Sequence, residues 1–164
     1  MRVSLCQMNS QGDKKANLAK AAELIRRSVD RDRPDLVVVP EYFAYLNGTP
    51  VDMHSSGEEF PEGEAYNAMA SLAKELGVTV HSGSMVERLG NAHYNTTVVF
   101  DPRGAEIARY RKMHLFDVEV PGGVVYRESN SVARGEEVVT YNVGDTVVGC
   151  AICYDIRFPE LFRA

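Results

Sequence analysis

The chain has 164 residues, of which 45% are hydrophobic and 25% charged, a composition typical of a single folded domain with a substantial core. Its net charge of −5, with no basic stripe, argues against a nucleic acid as partner. No apolar stretch approaches the roughly 18 residues of a transmembrane helix, and the N-terminus lacks the pattern of a signal peptide. We therefore expect a cytoplasmic protein that has no membrane partner.

The first 40 residues predict a strand–helix–strand unit. Residues 2–8 alternate apolar and polar side chains, as a half-buried strand does. A helix is expected between Asp13 and Pro34 because apolar residues recur there with a 3.6-residue period. These apolar residues are Leu18, Ala22, Ile25 and Val29. Residues 36–39 form a continuous apolar run typical of a strand buried on both faces, so we expect it to pair in parallel with the first strand.

The middle of the chain predicts a loop and a second helix. Residues 42–60 contain turn signals at 47–50 and 54–57 and are expected to form a loop. The helix is expected to follow Pro61 and to end at Gly77, which suits a helix C-terminus.

The remaining residues predict strands and one long loop. The strands are expected at residues 78–86, 94–100, 106–111, 138–143 and 146–152. Turn sequences follow Leu89 and Asp101, and both are typical of hairpins. Residues 113–136 are expected to form a long glycine-containing loop, and loops of that length are usually functional.

Three reactive side chains follow predicted strands: Glu41, Lys112 and Cys153. Because strand ends meet at one edge of an α/β sheet, these side chains are expected to share a pocket. A thiol, a carboxylate and an ammonium are the parts of a nucleophile, its base and an oxyanion stabiliser. Taken singly, each residue has a structural alternative. Cys153 could be a buried thiol, Glu41 could form a loop salt bridge or a helix cap, and Lys112 could be a surface lysine.

A redox pair of cysteines, a zinc site and a cysteine–histidine pair fit the sequence less well. Cys150 and Cys153 are three residues apart on a predicted strand, so their sulfur atoms would point to opposite faces, and no second ligand pair for zinc is present. Cys6 and Cys150 are interpreted as small core residues. None of the four histidines lies in a sequence typical of a cysteine protease, and His81 is interpreted as a core or face residue.

Three segments resemble motifs of the nitrilase superfamily of carbon–nitrogen hydrolases. They are residues 39–41 (Val-Pro-Glu), 109–117 (Arg-Tyr-Arg-Lys-Met-His-Leu-Phe-Asp) and 149–160 (Gly-Cys-Ala-Ile-Cys-Tyr-Asp-Ile-Arg-Phe-Pro-Glu). The resemblance implies an α/β protein of the α-β-β-α sandwich type. Since family members are considerably longer, we expect residues 1–164 to form the N-terminal portion of one carbon–nitrogen hydrolase domain, with the C-terminal part absent.

The resemblance also implies roles for individual residues. Glu41 would be the general base, Lys112 the oxyanion stabiliser and Cys153 the nucleophile. Glu128 would be a second glutamate beside the lysine, and the backbone N–H of Tyr154 a second oxyanion donor. No metal or organic cofactor is implied, and the family normally forms homodimers or larger homo-oligomers.

Residues 114–122 look most like the branch that contains ω-amidases and the amidase acting on deaminated glutathione. This implies hydrolysis of a small carboxamide, the ω-amide of a dicarboxylic or 2-oxo acid, to acid and ammonia through a cysteine thioester. Arg127, or a group outside this sequence, would bind the substrate carboxylate. The alternatives are a nitrilase or N-carbamoyl amide hydrolase of the same family, or a non-catalytic interaction module.

Overall fold

The computed structural model describes residues 1–46, 49–123 and 125–164, which form a mixed α/β fold. The helices of the described residues are α1 (Lys14–Asp32), α2 (Pro50–Ser55) and α3 (Glu64–Leu76), with 3₁₀ helices at Glu128–Asn130 and Cys153–Arg157. The strands of the described residues are β1 (Val3–Leu5), β2 (Leu36–Val38), β3 (Thr79–His81), β4 (Met85–Leu89), β5 (Ala92–Phe100), β6 (Glu106–Arg111), β7 (Asp117–Glu119), β8 (Val125–Arg127), β9 (Thr140–Val143) and β10 (Thr146–Gly149). None of the described helices combines the length and apolar character needed to cross a membrane.

The predicted strand–helix–strand unit is confirmed. The carboxylate of Asp13 caps α1 by accepting a hydrogen bond from the N–H of Ala16 at 3.0 Å, as a helix N-cap requires. β1 and β2 pair in parallel, with Val3 opposite Leu36. The second predicted helix corresponds to α3. It ends as predicted at Gly77, whose positive φ of 62° suits a residue without a side chain.

The main sheet has the order β1-β2-β3-β5-β4, and β6 pairs with β5. β3 runs parallel to β2, while β5 is antiparallel to both β3 and β6. β6 therefore runs in the same direction as β2, and the carboxyl ends of these two strands lie at the same edge of the sheet. Glu41 follows β2 and Lys112 follows β6, so this topology brings them to one edge.

Side chains of the sheet alternate between two cores. Val98 and Phe100 belong to the core shared with α1 and α3, whereas Val99 belongs to a second core on the opposite face. The antiparallel β9–β10 hairpin covers that second face through Tyr141 and Val143. The layers therefore follow one another as helices, main sheet and β9–β10 hairpin, which agrees with the expected sandwich.

Two of the sequence predictions for residues 42–86 need correction. The predicted strand 78–86 is two strands, β3 and β4, because Gly83 between them has a φ of 59° that ends regular pairing. The predicted loop 42–60 contains α2, which starts because Thr49 accepts a hydrogen bond from the N–H of Asp52 at 3.2 Å. The predicted turn residues Asn47 and Gly48 lie outside the described residues.

The predicted long loop 113–136 contains a small hairpin. β7 and β8 pair antiparallel, with Val118 opposite Tyr126, and the 3₁₀ helix Glu128–Asn130 follows directly. The sequence did not indicate these strands because each has only three residues and no apolar run.

Candidate active site

The structure brings Glu41, Lys112 and Cys153 together at one cavity of about 200 Å³. Glu41 and Lys112 come from the shared edge of the main sheet, and Cys153 comes from the segment after β10. The residues lining the cavity are Glu41, Tyr42, Lys112, Phe116, Tyr126, Glu128 and Cys153. Glu128, the fourth predicted side chain, therefore lies at the same cavity.

The loop that carries Glu41 is held by backbone contacts with the β3–β4 connection. The N–H of Tyr42 donates to Ser84 Oγ at 3.0 Å, and the N–H of Ser84 donates to the Pro40 carbonyl at 3.2 Å. Tyr42 has a φ of 51°, a conformation that residues other than glycine rarely adopt and that turns the chain immediately after Glu41. A side chain at Gly83 would overlap the Pro40 carbonyl oxygen, so this close approach requires glycine.

Lys112 is a buried cation between two carboxylates. Its side chain is 2% exposed, and Nζ lies 3.2 Å from Glu41 Oε1 and 3.0 Å from Glu128 Oε2. Burial alone would lower the pKa of Lys112, but the charges of Glu41 and Glu128 outweigh burial and raise it. The ammonium therefore remains charged at neutral pH.

Glu128 is held in place by three donors. Its carboxylate accepts hydrogen bonds from Lys112 Nζ, from the N–H of Phe116 at 2.6 Å and from Tyr42 Oη at 3.3 Å. The residue is 5% exposed, although it lies in the segment that was predicted to be a long loop. These contacts hold the Glu128 carboxylate against the ammonium of Lys112.

Asn95 is a site residue that sequence reasoning missed. It is fully buried in β5, and its Nδ2 donates to Glu41 Oε1 at 2.7 Å. Its backbone carbonyl accepts from the N–H of Lys112 at 2.9 Å, so one residue contacts both members of the pair. Among the described residues, its Oδ1 has no hydrogen-bond partner. An asparagine inside a strand of β-branched residues was the available signal, since buried amides usually have a specific partner.

Cys153 occupies a strained turn that begins the 3₁₀ helix Cys153–Arg157. Its φ of 47° is rare for a residue with a side chain, and such outliers concentrate at functional sites. Partial desolvation raises the pKa of the thiol, and so does the nearby Glu41 carboxylate. Lys112 acts in the opposite direction, but the net change in the pKa is upward. At neutral pH the Cys153 side chain is therefore a thiol, which would need a base to become a thiolate.

The last two predicted residues occupy different positions relative to this cavity. Tyr154 is the second residue of the 3₁₀ helix, where a backbone N–H has no acceptor within the helix itself. Arg127 is half-exposed on β8, with Nη2 3.7 Å from Glu119 Oε2. It is not among the described residues that line the cavity, so the structure does not bring it together with the other predicted residues.

Aromatic rings form the remaining wall of the cavity and were also not predicted. Phe116 lies between Tyr126 and Tyr154, with ring centroids 5.8 and 5.0 Å away. Burial raises the pKa of Tyr42, and so do the adjacent charges of Glu128 and Glu41, so this phenol remains neutral. Tyr126 and Phe116 lie on or beside the small β7–β8 hairpin, whose formation the sequence did not indicate.

Cys6, Cys150 and His81 are not among the described residues that line the cavity. All three cysteines are free; Cys6 and Cys150 are buried and Cys153 is exposed. Burial raises the pKa of Cys150 to about 12. His81 Nδ1 lies 3.0 Å from Tyr141 Oη, and burial lowers its pKa to about 4. In the described ranges of the chain, no group of three or more histidine, cysteine, aspartate or glutamate side chains is arranged to hold a metal ion.

Comparison with protein families gives a match along nearly the whole chain. The family model described as carbon-nitrogen hydrolase matches residues 2–164. The chain belongs to the carbon-nitrogen hydrolase family. Within this family, a hydrolase of Schizosaccharomyces pombe is 38% identical over 161 residues, which is 98% of this chain and 49% of the relative. The omega-amidase of Homo sapiens is 34% identical over 160 residues, covering 98% of this chain and 57% of that protein.

Solved structures of the nitrilase superfamily share the fold. The Nit3 protein of Saccharomyces cerevisiae, a member of branch 10 of that superfamily, is 30% identical with a TM-score of 0.86. The match covers 98% of this chain and 58% of Nit3. The chain thus spans about half the length of the relatives it matches.

Proposed function

We propose that this carbon-nitrogen hydrolase is a thiol-dependent amidase with Cys153 as nucleophile, Glu41 as base and Lys112 as oxyanion stabiliser. The observation that carries the proposal is the position of Glu41, whose carboxylate lines the same cavity as Cys153 and lies 3.2 Å from the Lys112 ammonium. A base must be able to reach the proton it removes, and Glu41 faces the same cavity as the thiol. The raised pKa of the thiol makes this base necessary.

In the acylation step, Glu41 takes the thiol proton while the Cys153 sulfur forms a bond to the amide carbon. The carbonyl π electrons move to oxygen, which Lys112 and the backbone N–H of Tyr154 stabilise. Protonated Glu41 then gives its proton to the leaving nitrogen. The C–N bond breaks as the carbonyl reforms, which releases ammonia and leaves a thioester on Cys153.

In the deacylation step, Glu41 removes a proton from water as the oxygen attacks the thioester carbon. The same two donors stabilise the second oxyanion. The C–S bond breaks, the acid leaves, and Glu41 returns the proton to sulfur. Because Glu41 ends each half-reaction in its starting state, one carboxylate serves both steps.

Glu128 and Asn95 support this chemistry without reacting. Glu128 accepts a hydrogen bond from the ammonium at 3.0 Å, and its compensating charge keeps Lys112 protonated in a buried position. Asn95 donates to Glu41 Oε1, which orients the carboxylate. An oriented base loses less entropy when it reaches the transition state.

For the substrate, we propose a small ω-amide of a dicarboxylic or 2-oxo acid. Support comes from the relatives named omega-amidase in Homo sapiens and Arabidopsis thaliana, the latter 36% identical over 166 residues. The cavity of about 200 Å³ suits a small acyl group. Arg127 remains a candidate for the substrate carboxylate, and residues 1–164 are proposed to act as one hydrolase domain in a homodimer or larger homo-oligomer.

The test is ammonia release from a panel of amides, nitriles and N-carbamoyl compounds. We expect ω-amides of dicarboxylic acids to be hydrolysed by the natural sequence and by Cys150→Ser, and not by Cys153→Ser. Mass spectrometry after brief iodoacetamide treatment should find Cys153 labelled well before Cys6 and Cys150, because the latter two are buried. Preferential hydrolysis of nitriles or N-carbamoyl compounds would replace the proposed substrate class with that class.

A non-catalytic role predicts a different pattern in the same experiment. The protein would then release no ammonia from any compound, and the three thiols would react without preference for Cys153. That result would overturn the assignment of an amidase.

A further inference from the structure

Asp155 is a fully buried carboxylate that the amidase chemistry above does not use. It accepts four hydrogen bonds. Oδ2 accepts from Tyr110 Oη at 2.6 Å and from the N–H of Ile152 at 2.8 Å. Oδ1 accepts from the N–H of His114 at 3.0 Å and from His114 Nδ1 at 2.7 Å.

These donors lie beside the proposed nucleophile and the proposed oxyanion stabiliser in the sequence. Ile152 immediately precedes Cys153, while Tyr110 and His114 are each two residues from Lys112, on either side. A single carboxylate therefore joins the turn that carries the thiol to the segment that carries the ammonium.

A second contact links the same two segments. The ring of His114 stacks on Phe158, with centroids 3.8 Å apart and planes 10° from parallel. Tyr110 is itself fully buried, and its hydroxyl also accepts a hydrogen bond from the N–H of Met113 at 3.3 Å. The segment around Lys112 therefore contacts the segment after Cys153 through the hydrogen bonds to Asp155 and through the stacked rings of His114 and Phe158.

Only a carboxylate satisfies the donors around Asp155. Each of its two oxygens accepts from one backbone N–H, that of Ile152 or that of His114. An asparagine amide has one oxygen and one NH₂ group, so either orientation would place a donor against a backbone N–H. A buried donor left without an acceptor is costly, and the two segments would move apart to relieve it.

We propose that Asp155 is a positioning residue that fixes Cys153 relative to Lys112, an inference that rests on the proposed function of these two residues. Glu41, Lys112 and Glu128 are charged groups near the thiol that change its pKa. Of these, only Lys112 lowers the pKa of the thiol, so moving Lys112 away would raise that pKa further. The same displacement would weaken oxyanion stabilisation, while Tyr42 and Tyr126 of the cavity wall make none of the contacts of Asp155.

The test compares Asp155→Asn with the natural sequence by the pH dependence of Cys153 alkylation, read by mass spectrometry on folded protein. We expect the apparent pKa of Cys153 to rise. We also expect kcat for the ω-amide to fall on the order of 10²-fold with little change in KM, as misplacement by about 1 Å can cause. Tyr110→Phe removes one of the four hydrogen bonds and should raise the pKa of Cys153 by less.

Glu58→Gln is the matched control. Glu58 is also a buried carboxylate with several donors, among them Lys14 Nζ at 2.9 Å and the N–H of Ala65 at 2.9 Å at the start of α3. Its substitution should lower the urea midpoint while leaving the alkylation profile of Cys153 unchanged.

Unchanged alkylation profiles in folded Asp155→Asn and Tyr110→Phe would overturn the positioning role, even where the natural sequence is an active amidase. If Asp155→Asn does not fold, Tyr110→Phe alone decides in the same way. Absence of both ammonia release and selective Cys153 alkylation in the natural sequence would instead refute the proposed function.

Discussion

His81 should make the stability of this protein sensitive to mildly acidic pH. It is the last residue of β3, and Nδ1 lies 3.0 Å from Tyr141 Oη. Burial lowers its pKa to about 4, whereas a histidine in the unfolded chain titrates near 6.5. Between these two values the unfolded state binds a proton that the folded state does not, so stability falls as the pH falls.

The magnitude follows from the difference between the two pKa values. Each unit of difference corresponds to about 1.4 kcal/mol, so the full loss below pH 4 is about 3 kcal/mol. Between pH 7 and pH 4.5, where titration of the folded state is incomplete, the expected loss from this residue is about 2 kcal/mol. That is a large part of the stability of an ordinary domain.

The assay is urea unfolding of the natural sequence and of His81→Gln at several values between pH 7 and pH 4.5. Glutamine does not titrate in this range and retains an amide that can hydrogen-bond to Tyr141. The two proteins differ only at residue 81, so the difference between their unfolding free energies isolates the effect of His81.

We expect the difference in unfolding free energy, His81→Gln minus natural sequence, to grow by about 2 kcal/mol in favour of the variant as the pH falls. A difference that stays constant within about 0.5 kcal/mol across this range would show that folding does not lower the pKa of His81, and the reasoning would be wrong.

Three further predictions concern the cavity and the loop that carries Glu41. Lys112→Met leaves Glu128 buried without its cation and should cost about 3–5 kcal/mol in urea unfolding at pH 7, with partial recovery on adding Glu128→Gln; a loss below about 1 kcal/mol would contradict a buried ion pair. Gly83→Ala should lower stability by about 1–3 kcal/mol, because φ is 59° and the new methyl overlaps the Pro40 carbonyl oxygen; an unchanged urea midpoint would be inconsistent with that approach. Tyr126→Ala should raise KM for the amide while leaving kcat nearly unchanged, and steady-state kinetics in which only kcat falls would argue against a role in binding.

Local patterns were sufficient for part of the fold. The 3.6-residue period and the caps predicted α1 and the end of α3 correctly, because helix boundaries depend on hydrogen bonds within a few residues. Turn sequences after Leu89 and Asp101 predicted hairpins that the structure confirms, since hairpin turns are also local. The split between β3 and β4 was missed because it depends on Gly83 approaching a distant carbonyl.

The candidate site divides in the same way. Strand-end placement and the family motifs were enough to select Glu41, Lys112 and Cys153 from the sequence. Asn95, in contrast, acquires its role only when β5 lies between the segments that carry Glu41 and Lys112. The net direction of the thiol pKa was likewise decided by tertiary structure, since burial and Glu41 outweigh Lys112 there.

The sequence by itself determined the kinds of reactive group, the order of most strands and helices, and the family. Tertiary structure alone decided which polar groups are buried and which charge lies against which, as the four donors around Asp155 illustrate. The physical reason is the separation along the sequence of the residues that interact. Helix periods, caps and turns are set by neighbours along the chain, whereas burial and electrostatic coupling depend on distances between segments far apart in sequence.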